Sequence, residues 1–595
     1  MRKSLLTIGI MLAPSIAVAD TDYKIDLTQP EHQRGDVTIT FPESDAEFLD
    51  VKMPAWRTGY YRILNLANGV RDFDAKSNGE SLRWEKIDKS TWRIYLSENS
   101  EEVTVDYEIY ADQLGRRSRH IDDSHAYLDA SAVFMYADKW RDDPVSVSLE
   151  VPGEWKSYSG MEREGEHKFS AENWDVLVDS PIETGINTHY EFTQGGRDYE
   201  VVFWGEGNYD AEKTVADLEK LVAQGDSIWS SYPFERYVFM FHATTGAGGA
   251  TEHKNSTIIQ RPRYSFASRD DYLSFMSTAS HEFVHTWNVK AYRPAALVPY
   301  DYQEENYTDL FWMAEGSTSY FQNHLLLQAG IMEPKEYFER VASGIDRYKA
   351  KPGRKVMSVA EASFEAWIDQ YGDRAHNDSV NIYSEGAMVS WLLDSRLLEM
   401  TDGEVSYRDV HDELYQRFDA DKQGYTAADV LTILKELTGQ SWQGWWQENV
   451  ESPIASIPFE TMLEQAGLEL VYEQGDDEVD KVWAGWEANE ASGGMELTRV
   501  SRGGPAWEAG FTPGDVIVAY DGHRVVDGRF NEAFKEYEPG ESIEVTFFRR
   551  DQLHKKTMKV QAQPATDAKI EPVEEPTAKQ KARFLQWLQI PHPNA

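Results

Sequence analysis

Cysteine is absent from all 595 residues. That excludes disulfides, thiolate zinc sites and a lipid-modified N-terminal cysteine, and leaves histidine and carboxylate as metal ligands. Basic charge is scarce as well: 59 Lys and Arg against 102 Asp and Glu give a net charge of −43. Such a chain repels phosphate backbones, so no nucleic-acid partner is expected. The acidic residues are spread along the chain rather than blocked, which fits a solvated surface. Long apolar runs are missing too. One short run, from Leu5 to about Pro14, follows Arg2 and Lys3 and precedes Ala17-Val18-Ala19. A basic start, a short apolar stretch and a small-x-small site mark residues 1–19 as an export signal cleaved after Ala19. The expected location is therefore periplasmic, or secreted, in a Gram-negative bacterium. No later stretch is long and apolar enough to suggest a membrane span.

What is present is a large globular chain rich in aromatics, with 19 Trp, 31 Tyr and 25 Phe, long enough for several domains. From Asp20 to residue 187 the apolar residues alternate, as in Val103–Ile109 and Val145–Val151, which predicts an antiparallel β domain. Residues 188–305 mix strands (Tyr199–Trp204, Val238–Phe241) with helices. From 306 to 475 the period is helical, clearest over Met313–Gln328, Glu385–Glu399, Tyr407–Phe418 and Ala427–Leu437. Gly475-Asp-Asp-Glu478 marks a boundary before a compact module at 480–563, and 564–595 reads as a Pro/Glu-rich linker with a short amphipathic tail helix. Asp419-Ala-Asp421-Lys-Gln423-Gly424 resembles half a calcium loop, but its twelfth position is Val430 where a bidentate Glu is needed, so a helix-connecting turn is expected.

Residues 281–285 read His-Glu-Phe-Val-His. Two imidazoles four apart lie on one helix face and can reach one ion, with Glu282 beside them to take a proton from a bound water. A catalytic metal needs a third protein ligand and one open position. Glu304 and Glu315 compete for that place. The 18-residue gap to Glu304 is the spacing of a large group of zinc aminopeptidases; local pattern favours Glu315, which begins an amphipathic helix able to pack beside the His281 helix.

His281-Glu-Phe-Val-His-Thr-Trp-Asn-Val-Lys290, Arg293-Pro294, Asp301-Tyr302, Asn306-Tyr-Thr308 and Trp312-x-x-Glu315-Gly316 together resemble the glycyl aminopeptidase family, metallopeptidase family sixty-one, a gluzincin family. The resemblance implies a multidomain α+β protein: an N-terminal antiparallel β domain, a thermolysin-like zinc peptidase domain with a helical C-terminal part, and a PDZ domain. It implies one zinc ion per chain on His281, His285 and Glu315, peptide substrates, and removal of small N-terminal residues such as Gly or Ala. Glu252, in Gly248-Gly249-Ala-Thr-Glu252-His253, matches the glutamate that binds the substrate amine in related aminopeptidases, with Gly249 on the same substrate-binding strand. The match is partial, because a Met is lacking and His253 stands where those enzymes have Asn. Tyr383, in Tyr383-Ser-Glu-Gly386, matches the tyrosine that hydrogen-bonds the oxyanion.

Gly493-Gly494-Met495, Gly504-Pro505-Ala506, Pro513-Gly514-Asp515 and Asp521-Gly522 resemble a bacterial-type PDZ domain. Such a groove takes a C-terminal peptide on the loop Trp483-Ala-Gly485-Trp486; two tryptophans there are large enough to narrow it, and docking on the rest of the protein is the competing role. The rival readings are a zinc endopeptidase and a PDZ-based peptide-binding protein with a residual peptidase core.

Overall fold

The alternating segments Val37-Thr-Ile-Thr-Phe41 and Val103-Thr-Val-Asp-Tyr-Glu-Ile109 bury every second side chain, as a half-covered sheet requires. In the computed structural model the described residues are 20–594, apart from 98–99, 369–370, 455, 473–481, 526–533 and 535. The export signal expected at 1–19 and the boundary expected at Gly475–Glu478 lie outside them. Contacts divide the chain into two units, Met1–Thr58 with Leu64–Thr188, and Gly59–Ile63 with His189–Ala595.

In the first unit β1 (Thr21–Asp26), β2 (Arg34–Phe41), β3 (Val70–Ser77), β4 (Val103–Tyr110) and β5 (Val145–Glu150) form the middle of an eight-stranded sheet, in the order β5-β1-β2-β4-β3. Neighbours are antiparallel except β1 and β5, which run parallel. A parallel neighbour needs a long connection, and here most of the unit lies between the two strands.

The second unit carries a mixed sheet of β6 (Thr188–Gln194), β7 (Arg197–Trp204), β8 (Arg236–Thr244), β9 (Gly249–Glu252) and β10 (Ser256–Pro262), in the order β6-β7-β8-β10-β9. β8 is buried from Tyr237 to Thr244, as a central strand with parallel partners on both sides must be. β9 is the edge strand, antiparallel to β10. Helix α1 (Ala211–Val222) connects β7 and β8. Then come α2 (Arg269–His285), α3 (Ser317–Gln328), α4 (Pro334–Ala350), α5 (Gly372–Asp378), α6 (Ser384–Met400), α7 (Tyr407–Arg417) and α8 (Ala427–Thr438). The helix expected from Met313 starts instead as a π turn, Trp312–Gly316, that runs into α3. Asp419, before α8, is paired with Lys422 at 2.5 Å and Asp421 with Lys254 at 3.0 Å, the arrangement of a turn.

After β11 (Leu468–Tyr472) the terminal module is an antiparallel sheet of β12 (Trp486–Ala491), β13 (Gly494–Val500), β14 (Val516–Tyr520), β15 (Ser542–Arg549) and β16 (Gln552–Lys559) in sequential order. Leu497, Ile517, Val545 and Phe547 fill its core, and Trp486 packs against it, edge-on to Phe511 at 5.4 Å. The module docks on α5. Asp373 Oδ1 accepts from Val500 N, Asn377 Nδ2 donates to Val500 O and Asn377 Oδ1 accepts from Arg502 N, each at 2.8 Å.

The Pro/Glu-rich stretch is not free chain: β17 (Ala568–Pro572) pairs with β11, and α9 (Ala578–Leu588) packs on α3 and α6. Trp587 stacks on Trp391 at 5.5 Å, and its Nε1 donates to Tyr320 Oη at 2.9 Å, which in turn donates to buried Asp394 at 2.5 Å. Trp587→Ala removes a buried ring and one end of that chain, so it should cost about 3–5 kcal/mol, read as a lowered denaturation midpoint.

Candidate metal centre

Ser268 caps α2 with a side-chain bond from Asp271 N, and Phe275, Met276, Ala279 and Phe283 bury one face. That leaves His281 and His285 on the face toward α3, and Glu315 enters from the π turn. π turns insert one residue into a helix and so re-aim a side chain. Here the turn closes backbone to backbone on the start of α6: a Cβ built on Gly316 would lie 2.5 Å from Gly386 Cα and C, and one on Gly386 would lie 3.0 Å from Gly316 Cα. The glycines of Glu315-Gly316 and Tyr383-x-x-Gly386 are therefore one contact seen from two sides.

Three donor atoms converge. His281 Nε2 and His285 Nε2 are 3.0 Å apart, and Glu315 Oε2 lies 3.6 Å from the first and 3.2 Å from the second. Tetrahedral zinc with bonds near 2.1 Å sets its ligands about 3.4 Å apart, which these separations bracket. The outer ring nitrogens are already engaged, His281 Nδ1 with Gln322 Oε1 at 2.6 Å and His285 Nδ1 with Asn288 O at 2.8 Å. Both acceptors are oxygens, so the Nδ1 atoms carry the protons and the two Nε2 lone pairs face each other beside a carboxylate. Such a set needs a positive charge between its members, and its chemistry, two imidazoles and one carboxylate, fits catalytic zinc.

The electrostatics agree. Burial would raise the Glu315 pKa, but His285 and His281 hold it well below the usual carboxylate range. Burial would lower the His285 pKa, yet Glu315 and Glu252 raise it above its ordinary value. Glu304, the other candidate ligand, is exposed, in a loop where its carbonyl accepts from Asn306 Nδ2. Of the other expected residues, Glu282, Tyr383 and Glu252 lie near the triad. Glu282 is buried next to His281. Tyr383, partly exposed, sets its ring 6.0 Å from that of His281. Glu252, 4% exposed at the end of β9, exerts a charge effect at His285, while Gly249 begins β9 at φ 104°.

Three residues escaped the sequence reading. Asn288 Nδ2 donates to Met313 O at 2.8 Å and to Ala314 O and Thr318 Oγ1 at 3.0 Å, tying the end of α2 to the π turn. Gln322 holds His281; it lies two helical turns after Glu315, a same-face spacing that could have been noticed. Tyr61 carried no local signal, being 254 residues from its partner: its hydroxyl donates to Glu315 Oε1 at 2.6 Å. It sits in the short segment Gly59–Ile63 that packs with the second unit. Burial, with Glu315, Glu252 and Tyr383 nearby, pushes its pKa well above the ordinary value, so it stays a donor. Gly59 of the same segment has φ 74°, and a Cβ there would meet Glu252 Oε2 at 2.4 Å. One loop thus braces both carboxylates.

A helix with two histidines four apart and a glutamate from the following turn, behind a mixed sheet with an antiparallel edge strand, defines a metallopeptidase of the gluzincin type. Residues 22–186 match the Peptidase M61 N-terminal domain, 274–389 the M61 glycyl aminopeptidase domain and 496–547 a PDZ domain. The chain belongs to the M61 glycyl aminopeptidase family and is a zinc metallopeptidase. It superposes on an aminopeptidase N family protein from Idiomarina loihiensis with a TM-score of 0.85 at 26% identity, over 96% of this chain and 100% of that one. A weaker likeness is to the M1 zinc metallopeptidase from Deinococcus radiodurans, with a TM-score of 0.42 and 15% identity over 71% of this chain and 91% of that one. No curated protein matches. No helix among the described residues is long and apolar enough to cross a membrane.

Proposed function

We propose that this protein is an aminopeptidase that removes small N-terminal residues, Gly or Ala, from peptides with one zinc ion per chain. The observation that carries the reading is the convergence of His281, His285 and Glu315 with their outer atoms held by Gln322, Asn288 and Tyr61. Zinc held there supplies a Lewis acid for the scissile carbonyl and a water of lowered pKa. Glu282, buried and adjacent on α2, accepts the water proton and returns it to the leaving amine. Tyr383 donates its hydroxyl to the oxyanion formed at the carbonyl. Glu252 ion-pairs with the substrate ammonium and so measures one residue from the scissile bond, while Gly249 keeps the edge strand open to the peptide backbone. The PDZ domain offers a surface for C-terminal peptides, and residues 1–19 direct export, so the mature N-terminus should be Asp20.

The test is release of Gly or Ala from unblocked and N-acetylated peptides, with and without a chelator. Turnover stopped by either treatment supports the reading; hydrolysis of acetylated peptide at an undiminished rate sinks the amine-binding role of Glu252 and favours an endopeptidase. Tyr61→Phe leaves Glu315 Oε1 buried without its hydroxyl donor. Zinc affinity should fall about 10–100-fold, measured by competition with a chromogenic chelator.

A further inference from the structure

A cavity of 280 Å³ opens between α3, α4 and α6, and two of its walls are neighbours of the metal centre: Gln322, which holds His281, and Tyr383. Its further polar lining includes the cations Arg340 and Arg347, beside Glu385 and several neutral hydroxyl and amide groups. Arg340 is partly buried and has no hydrogen bond or ion pair among the described residues. Asp270 and Glu336 act on it only from beyond ion-pair distance, and Glu336 is already bound by Arg269 through two bonds of 2.7 and 2.8 Å. Arg347, exposed at the rim, donates among the described residues to the neutral Ser343 Oγ at 2.6 Å. Glu385, also at the cavity, is committed to Asn381 N at 2.5 Å, Ser384 Oγ at 3.0 Å and Lys351 Nζ at 3.4 Å. In a chain of net charge −43, a partly buried guanidinium with no ion pair among the described residues, in a cavity that also reaches Gln322 and Tyr383, is open to an anion that completes it. The fork of an arginine matches a carboxylate through two parallel bonds.

We propose that this cavity is a carboxylate-binding subsite that selects peptides by an acidic group downstream of the cleaved bond. The inference rests on the aminopeptidase reading. With the substrate ammonium at Glu252 and its carbonyl at the triad, the chain leaves past Tyr383 and Gln322, advancing about 3.3–3.6 Å per extended residue. A free C-terminus within the next few residues, or an acidic side chain there, is then offered to Arg340 and Arg347. The enzyme is thereby tuned to short peptides or to acidic sequences.

The experiment compares three substrates: Gly-Ala-Ala as free acid, the same peptide as C-terminal amide, and Gly-Ala-Glu amide. The wild-type zinc enzyme should favour the free acid over the Ala amide by about tenfold or more in kcat/KM. Arg340→Gln and Arg347→Gln should collapse that ratio toward one. If Gly-Ala-Glu amide equals the free acid, the side chain supplies the carboxylate as well as the C-terminus can. Calorimetric binding of the three peptides to zinc-loaded Glu282→Gln enzyme separates this proposal from the catalytic one, because it needs no turnover. Equal binding and equal turnover of free acid and both amides would falsify it, as would a preference that survives both arginine substitutions.

Discussion

In Glu282→Gln, kcat/KM on unblocked peptides falls by about 10²–10⁴-fold or more, while zinc content and melting temperature stay those of the wild type. The amide keeps the volume of the side chain in its buried position but cannot accept a proton. Glu282 is not among the three converging donors, so the metal stays bound. Single-turnover assays with metal analysis on the same sample check this. A variant that retains turnover within tenfold, or that loses its zinc, would remove Glu282 from the role of general base.

Gly316→Ala is expected to empty the metal centre. The new methyl would sit 2.5 Å from Gly386 Cα and C and 2.8 Å from Ile382 O, all backbone atoms that no rotamer change can move aside. The π turn must shift, and Glu315 moves with it, away from a partner now 3.2 Å distant. Overpacking of this kind costs about 1–3 kcal/mol in stability. The zinc dissociation constant should rise by at least the 10–100-fold seen when a ligand loses its support. Gly386→Ala, whose Cβ meets Gly316 Cα and Trp312 O at 3.0 Å, should show a milder form of both effects. Chelator competition and thermal melts check the pair; wild-type zinc affinity in Gly316→Ala would show that the Gly–Gly contact does not position Glu315.

The pairing of His281 with His285 was legible because it is a local property of one helix, as was the alternation that builds the first unit's sheet. The choice between Glu304 and Glu315 was only partly legible. Counting residues favoured one and helical pattern the other, and the structure brings Glu315 to the imidazoles through a π turn that no periodicity announces. The tail was misjudged in its first part. Proline and glutamate suggested a linker, yet Ala568–Pro572 completes a two-stranded sheet with Leu468–Tyr472. The amphipathic pattern at Phe584, Trp587 and Leu588 did announce a packed helix.

Read alone, the amino acids determined the metal chemistry and the class of fold. A cysteine-free chain must build a metal site from imidazole and carboxylate, and two histidines one turn apart supply two of its ligands locally. Local periodicity sets strands and helices before any long-range contact forms. Tertiary packing alone decided how that chemistry is braced and aimed: Tyr61 on Glu315, Gly59 against Glu252, Gly316 against Gly386 and Arg340 at the cavity beyond Tyr383. These contacts join segments tens to hundreds of residues apart, and only the folded backbone brings them within hydrogen-bonding or van der Waals range.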